Sequence, residues 1–164
     1  LYQYRFHLLA FMKIILTLLF FITALCVQTA YSQDNSSSYH TSIGVKIYPG
    51  TITLKQGVNG GNYVEGQAAF FNKGFRLTAL YEFHNDINGA KGLRWYYGGG
   101  PHLGFYNSKH YNGSTLLGVD GILGLDYKLS GTPLNFSLDW QPSFEFGDGS
   151  GFDGWGGLAV RIAF

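Results

Sequence analysis

From Leu134 to Phe146 apolar and polar side chains alternate: Leu134, Phe136, Leu138, Trp140, Phe144 and Phe146 fall on even positions, with Asn135, Ser137, Asp139, Gln141, Ser143 and Glu145 between them. A period of two is the signature of a β-strand with one oily and one polar face. The run is longer than the five or six residues usual in globular strands, and long enough for a tilted strand to cross a bilayer.

The rest of the chain from Tyr39 repeats this period, broken by turn residues and without helical spacing. A first strand carries Ile43, Val45 and Ile47 against Gly44 and Lys46, and ends at Pro49-Gly50. A shorter second strand runs through Ile52 and Leu54 to Val58-Asn59-Gly60-Gly61. The third sets Val64, Ala68 and Phe70 opposite Glu65 and Gln67. After an Asn72-Lys73-Gly74 turn, the fourth sets Phe75, Leu77, Ala79, Tyr81 and Phe83 opposite Arg76, Thr78, Glu82 and His84. The fifth spans Leu93 to Tyr106, with Leu93, Trp95, Tyr97, Leu103 and Phe105 on one face and Arg94, Tyr96 and His102 on the other. Its phase survives Gly98-Gly99-Gly100-Pro101, so that run bends the strand without inserting a single-residue bulge.

A loop is expected over Asn107 to Ser114. The sixth strand then places Leu117, Val119, Leu123, Leu125, Tyr127 and Leu129 opposite Asp120, Asp126 and Lys128. Ser130-Gly131-Thr132-Pro133 turns the chain into the Leu134 strand, with Leu129 pairing Leu134 and Gly124 facing Asp139, which leaves room for a long basic side chain. Gly147 to Gly154 is read as a loop, and a last strand carries Leu158, Val160, Ile162 and Phe164 against Ala159, Arg161 and Ala163. The pattern predicts an all-β chain of eight antiparallel strands in up-and-down order.

Alternation does not say which face is outside, but volume does. An eight-stranded barrel encloses just enough space for side chains to fill. Phe70, Phe75, Tyr81, Phe83, Trp95, Tyr97, Phe105, Tyr127, Phe136, Trp140, Phe144, Phe146 and Phe164 would overfill it, whereas the other face is rich in glycine, at Gly44, Gly98, Gly100, Gly104, Gly118, Gly124 and Gly157. The oily face is therefore expected outside and the small and charged face inside. Threading up and down sorts the aromatics by depth. Tyr81, Phe83, Trp95, Tyr97, Tyr127, Phe136 and Phe164 gather at one edge, and Phe70, Phe75, Phe105, Phe144 and Phe146 at the other. Two aromatic girdles around an aliphatic band suit the two interfaces of a bilayer.

Composition agrees: 18% of residues are aromatic and only 13% charged, against about 25% charged in ordinary soluble domains. The net charge of +1 and the lack of a basic cluster give no nucleic-acid footprint. Cys26 is the only cysteine, which excludes an internal disulfide framework and a cysteine-based zinc site. Met12-Lys13 followed by Ile14 to Val27 has the charged and apolar regions of a secretory signal, too short for a membrane helix. Ala30-Tyr31-Ser32 supplies small residues for cleavage before Gln33. A lipoprotein signal cut before Cys26 fails because Leu25 occupies the place of a small residue. The expected organisation is residues 1–32 as upstream sequence and signal, 33–38 as a polar lead-in, and 39–164 as the barrel.

With these features in place, the chain resembles the small eight-stranded outer-membrane barrels of Gram-negative bacteria, the broad OmpA/OmpX-like group. The most specific element is the final strand, whose Leu158, Val160, Ile162 and terminal Phe164 are similar to the signal such proteins present to the barrel-assembly machinery. The resemblance implies an outer-membrane location, contact with outer-membrane lipids and lipopolysaccharide, a monomeric state and a structural or envelope-maintenance role. Two outer loops, at Pro49-Gly50 and Asn72 to Gly74, are very short, a departure from relatives whose long outer loops serve adhesion.

The expected interior holds Lys46, Lys55, Arg76, Arg94, Lys128 and Arg161 against Glu65, Glu82, Asp120, Asp126, Asp139 and Glu145. Equal numbers favour mutual pairing and a plugged lumen; a selective pore would line its wall with one sign of charge. A narrow channel is the alternative for the passage. Some barrels that the chain resembles are lipid A-modifying acyl hydrolases or acyltransferases that use Ser, His and an acid. Here His84 lies two residues from Glu82 and His102 faces the same lumen, but neither has a serine beside it in sequence, and an interior histidine is more often a hydrogen-bonded filler than a base. No catalytic residue and no cofactor are assigned. His40, His84, His102 and His110 lack metal-ligand spacing, and Asp148 to Asp153 lacks the sixth-position glycine and closing glutamate of a calcium loop.

If the oily face meets lipid, Leu123→Lys or Leu138→Lys should each weaken folding by about 2 to 4 kcal/mol, and Ser137→Lys on the opposite face should cost less. Equal costs in a denaturant titration would reverse the assignment of faces.

Overall fold

The computed structural model describes residues 39–72, 74–106, 115–146 and 151–164. The expected signal segment with Met12, Cys26 and the cleavage site lies outside the described residues, as do the lead-in 33–38, Lys73, the 107–114 loop and residues 147–150.

The strands are β1 (Thr41–Lys46), β2 (Thr51–Gly57), β3 (Tyr63–Phe71), β4 (Gly74–Asp86), β5 (Leu93–Tyr106), β6 (Thr115–Lys128), β7 (Leu134–Phe146) and β8 (Gly151–Ala163). Each pairs antiparallel with the next and β8 pairs with β1, so the sheet closes into an up-and-down barrel. The hairpin at Ser130 to Pro133 follows the turn chemistry read from sequence. Leu129 N–H donates to the Leu134 carbonyl at 3.0 Å, and Gly131 takes a positive φ of 72° that a side chain would resist.

Register sets the shape. A path across hydrogen-bonded partners from Gly44 through Thr53, Gln67, Thr78, His102, Gly118 and Glu145 reaches β8 at Gly151, ten residues from Arg161, the partner of Gly44 across the seam. A stagger of ten over eight strands gives a tilt of roughly 40° and a backbone radius of about 8 Å. The β5 register keeps one phase through Gly98 to Pro101, as the sequence predicts: its ladder to β6 is continuous, and its ladder to β4 resumes in the same register after a gap at Gly100 and Pro101. Ile47, Leu129 and Phe164 fall one residue beyond the strands they were expected to end, and the start of β8 differs more. Gly151 to Gly154 belong to β8 and pair with Pro142 to Glu145, because long β7 offers a template that these residues follow, with Phe152 paired to Phe144 on the outer face.

Side chains segregate as expected from volume. Leu138 is 58% exposed, Trp140 53% and Leu123 52%, while Asp126, Glu65 and Glu82 on the alternate face are fully buried. The described inner face is not wholly polar: Leu80, Tyr96 and Ile122 form a buried cluster, and Tyr39, Tyr63 and Ala163 another. The inward glycines let strands and large groups approach. A Cβ on Gly44 would lie 2.0 Å from the Val160 carbonyl oxygen, and one on Gly118 would lie 2.3 Å from the His102 ring.

Gly44→Ala should therefore strain the closing seam and lower stability by about 1 to 3 kcal/mol. Gly66→Ala, whose Cβ would meet nothing nearer than the Leu54 carbonyl oxygen at 4.0 Å, should be close to neutral. Denaturant midpoints of the two variants check this; equal midpoints would mean that the seam tolerates a methyl group.

Candidate functional site: the charged interior

The alternation that turns apolar groups outward aims the charged side chains of every strand into one narrow lumen, where they meet across the barrel. Buried charges persist only when paired and hydrogen-bonded. Every one of the six expected carboxylates lies in at least one ion pair.

At the end that carries Phe164, Arg94 donates to Asp126 at 3.0 Å and to the Tyr63 hydroxyl at 3.2 Å, and its guanidinium lies 5.2 Å from the Tyr39 and Tyr63 ring centroids. Asp126 also accepts from Tyr39 Oη and Asn135 Nδ2. Burial, reinforced by the charge of Asp126, pushes the Tyr39 phenol well above the usual tyrosine range, so it serves as a neutral donor.

In the middle, Lys55 Nζ lies 2.7 Å from Glu82 and 3.8 Å from Glu65, and Arg161 reaches Glu65 at 2.6 Å, Ser137 Oγ at 2.6 Å and Thr53 Oγ1 at 3.2 Å. The Thr53 hydroxyl also donates to Glu65. The Lys55 ammonium caps the Tyr96 ring at 4.3 Å, and His84, stacked on Tyr96, touches Glu82 at 2.9 Å. Above this layer Asp139 accepts from Lys46 at 2.8 Å and from Tyr96 Oη at 2.9 Å. Toward the far end Arg76 reaches Glu145 at 2.7 Å and Asp120 at 3.7 Å, while His102 Nδ1 lies 2.9 Å from Asp120. Tyr106 donates to Glu145, and Thr78 and Gln141 donate to Asp120.

The expected interior residues Glu65, Arg76, Glu82, Arg94, Asp120, Asp126, Asp139 and Arg161 are all buried within this network, and Glu145 is half-buried at its rim. Three expectations need correction. Lys128 is buried but joins no carboxylate among the described residues; its ammonium donates to the Thr132 and Leu129 carbonyls, because its strand ends at that turn. The space over Gly124 is taken by the Tyr96 ring, which holds Asp139 from one side while Lys46 reaches it from another. Ser137, where lysine is expected to cost less than at Leu123 or Leu138, bonds the Arg161 guanidinium, so Ser137→Lys would press a second buried cation against the first and its cost does not discriminate the two faces.

On the outer face Tyr81, Phe83, Trp95, Tyr97, Tyr127, Phe144 and Phe146 are exposed. Phe105 is half-covered because it stacks on Phe75 at 4.6 Å, and Phe136 is half-covered between Tyr127 and Val160 in the register. Leu158, Val160, Ile162 and Phe164 follow one another along the outer side of the terminal strand, which borders the seam. Sequence reasoning passed over Leu80, Ile122 and Tyr63. They share the inward phase of Glu82, Asp120 and Glu65, so the alternation itself placed them inside. Among the described residues no group of three or more histidine, cysteine, aspartate or glutamate side chains could hold a metal. His110 and Asp148 lie outside them, and Asp153 instead accepts from Gly154 N–H at 2.8 Å.

Together these features define a closed eight-stranded antiparallel barrel of inverted polarity, with apolar side chains outside and paired charges within. No protein-family model, curated protein or solved structure matches the chain.

Arg161→Met should cost about 3 to 5 kcal/mol by leaving Glu65 short of its closest cation, and Arg161→Met with Glu65→Gln should recover part of that loss. A double-mutant cycle in denaturant checks the coupling; strictly additive costs would remove it.

Proposed function

We propose that this chain is an integral outer-membrane barrel of the small OmpA/OmpX-like kind, with a structural or envelope-maintenance role and a plugged, charge-balanced interior. The observation that carries the reading is sidedness: Leu123, Leu138 and Trp140 stand more than half exposed on strands whose aspartates are buried. Water would leave a continuous apolar belt uncovered, whereas hydrocarbon wets it and aromatic edges favour the interfaces. Closure is the second support, since hydrocarbon does not tolerate unpaired sheet edges. The signal-like segment and the outward Leu158, Val160, Ile162 and Phe164 fit export followed by the barrel-assembly machinery, with outer-membrane lipids and lipopolysaccharide as the surroundings of a monomer. In this reading His84 and His102 fill and bond the lumen. The paired charges also close it, so refolded protein in a planar bilayer should show no stepwise conductance.

The mature protein should appear in the outer-membrane fraction and migrate on a gel differently before and after boiling. A soluble, detergent-independent monomer in the periplasm would overturn the proposal. Discrete conductance steps would replace the plug with a narrow channel.

A further inference from the structure

β8 is longer than the strand that closes the barrel against it. It pairs with β7 from Gly151 onward, but with β1 only as far as Ala159, plus one bond from Ile47 N–H to the Leu158 carbonyl. The β1 to β2 hairpin turns back at Ile47 to Gly50, and on its other side the last contact is Phe70 N–H to the Gly50 carbonyl at 2.8 Å. Among the described residues, the side of Gly151 to Gly156 that faces the hairpin therefore has no strand partner. The wall carries a notch between β8 and β3. Its lip stands at the level of the outer aromatics, because Phe152 pairs with Phe144.

Under the notch lies a cavity of about 10 Å³ whose lining includes Lys46, Tyr48, Gln67, Arg76, Asp139 and Trp155, room for a group the size of one hydroxyl. Two of its buried side chains hold unused donors. Gln67 Nε2 and Arg76 Nε have no hydrogen-bond partner, although the residues are only 7% and 2% exposed. Arg76 is held in place by Glu145 and by the Trp155 ring at 4.3 Å, so its donor is fixed. Buried donors call for an acceptor.

Charge selects its kind. The two cations that line the cavity are each already paired, Lys46 with Asp139 at 2.8 Å and Arg76 with Glu145 at 2.7 Å, so no uncompensated positive charge is left to hold an anion. An anion gains nothing there. A neutral oxygen fits, flanked by the aromatic surfaces of Trp155 and exposed Tyr48.

Taking the chain as a membrane barrel, on which this step rests, we propose that the notch seats the neutral, hydroxyl-bearing headgroup of an outer-leaflet amphiphile. One hydroxyl oxygen enters the cavity and accepts from Gln67 and Arg76. At the level of the outer aromatics such a headgroup also lies beside the free β8 edge, whose backbone groups it can bond.

The test uses mature protein folded in dodecylphosphocholine micelles and carrying Trp95→Phe and Trp140→Phe, which leaves Trp155 as the only tryptophan. Octyl glucoside should change its emission saturably, and Gln67→Leu or Gln67→Glu should weaken the apparent affinity by about tenfold. No saturable change, or one that both Gln67 variants leave intact, would overturn the seat. An equal response to methyl glucoside would assign the site to a soluble sugar, and a response to inorganic phosphate would refute a neutral ligand. Boiling-dependent gel migration of the same samples separates the two failures: its absence counts against the membrane barrel, and its presence with no response counts against the seat alone.

Discussion

Eight strands closed with a stagger of ten leave a lumen that only side chains can fill, and most other features follow from that radius. Each residue must go inward or outward, and the inward volume is too small for the aromatic half of the alternation. Glycines at Gly44, Gly118 and Gly124 are the local expression of this crowding, since a carbonyl, a histidine ring and a tyrosine ring occupy the space a side chain would take.

Once charge is confined to that lumen, electrostatics becomes collective. Glu65 is shared by Arg161, Lys55 and Thr53, and Asp126 by Arg94, Asn135 and Tyr39. These contacts join strands far apart in sequence, so the interior braces the barrel across its diameter while the backbone ladder holds it round its circumference. The same pairing that stabilises the charges also fills the passage.

The uneven lengths of the strands introduce the main asymmetry. Short β1 and β2, beside long β8, leave polar backbone and the unused donors of Gln67 and Arg76 near the distal aromatic edge. In this sector the unpaired edge of β8 and the unused donors lie side by side.

The period of two, the turn residues and the crowding of aromatics on one phase were enough to determine strand number, order, sidedness and the inward set of charges. Gly124 opposite Asp139 and the Leu129 to Leu134 hairpin were legible because antiparallel neighbours obey local register. What only the tertiary structure decided is who meets whom across the lumen: Tyr96 over Gly124, Lys46 on Asp139, Arg161 on Ser137, and Lys128 left to carbonyls at its turn. Alternation assigns a face, whereas partners on distant strands depend on the stagger of the closed sheet and on side-chain reach, neither of which is written in a local pattern.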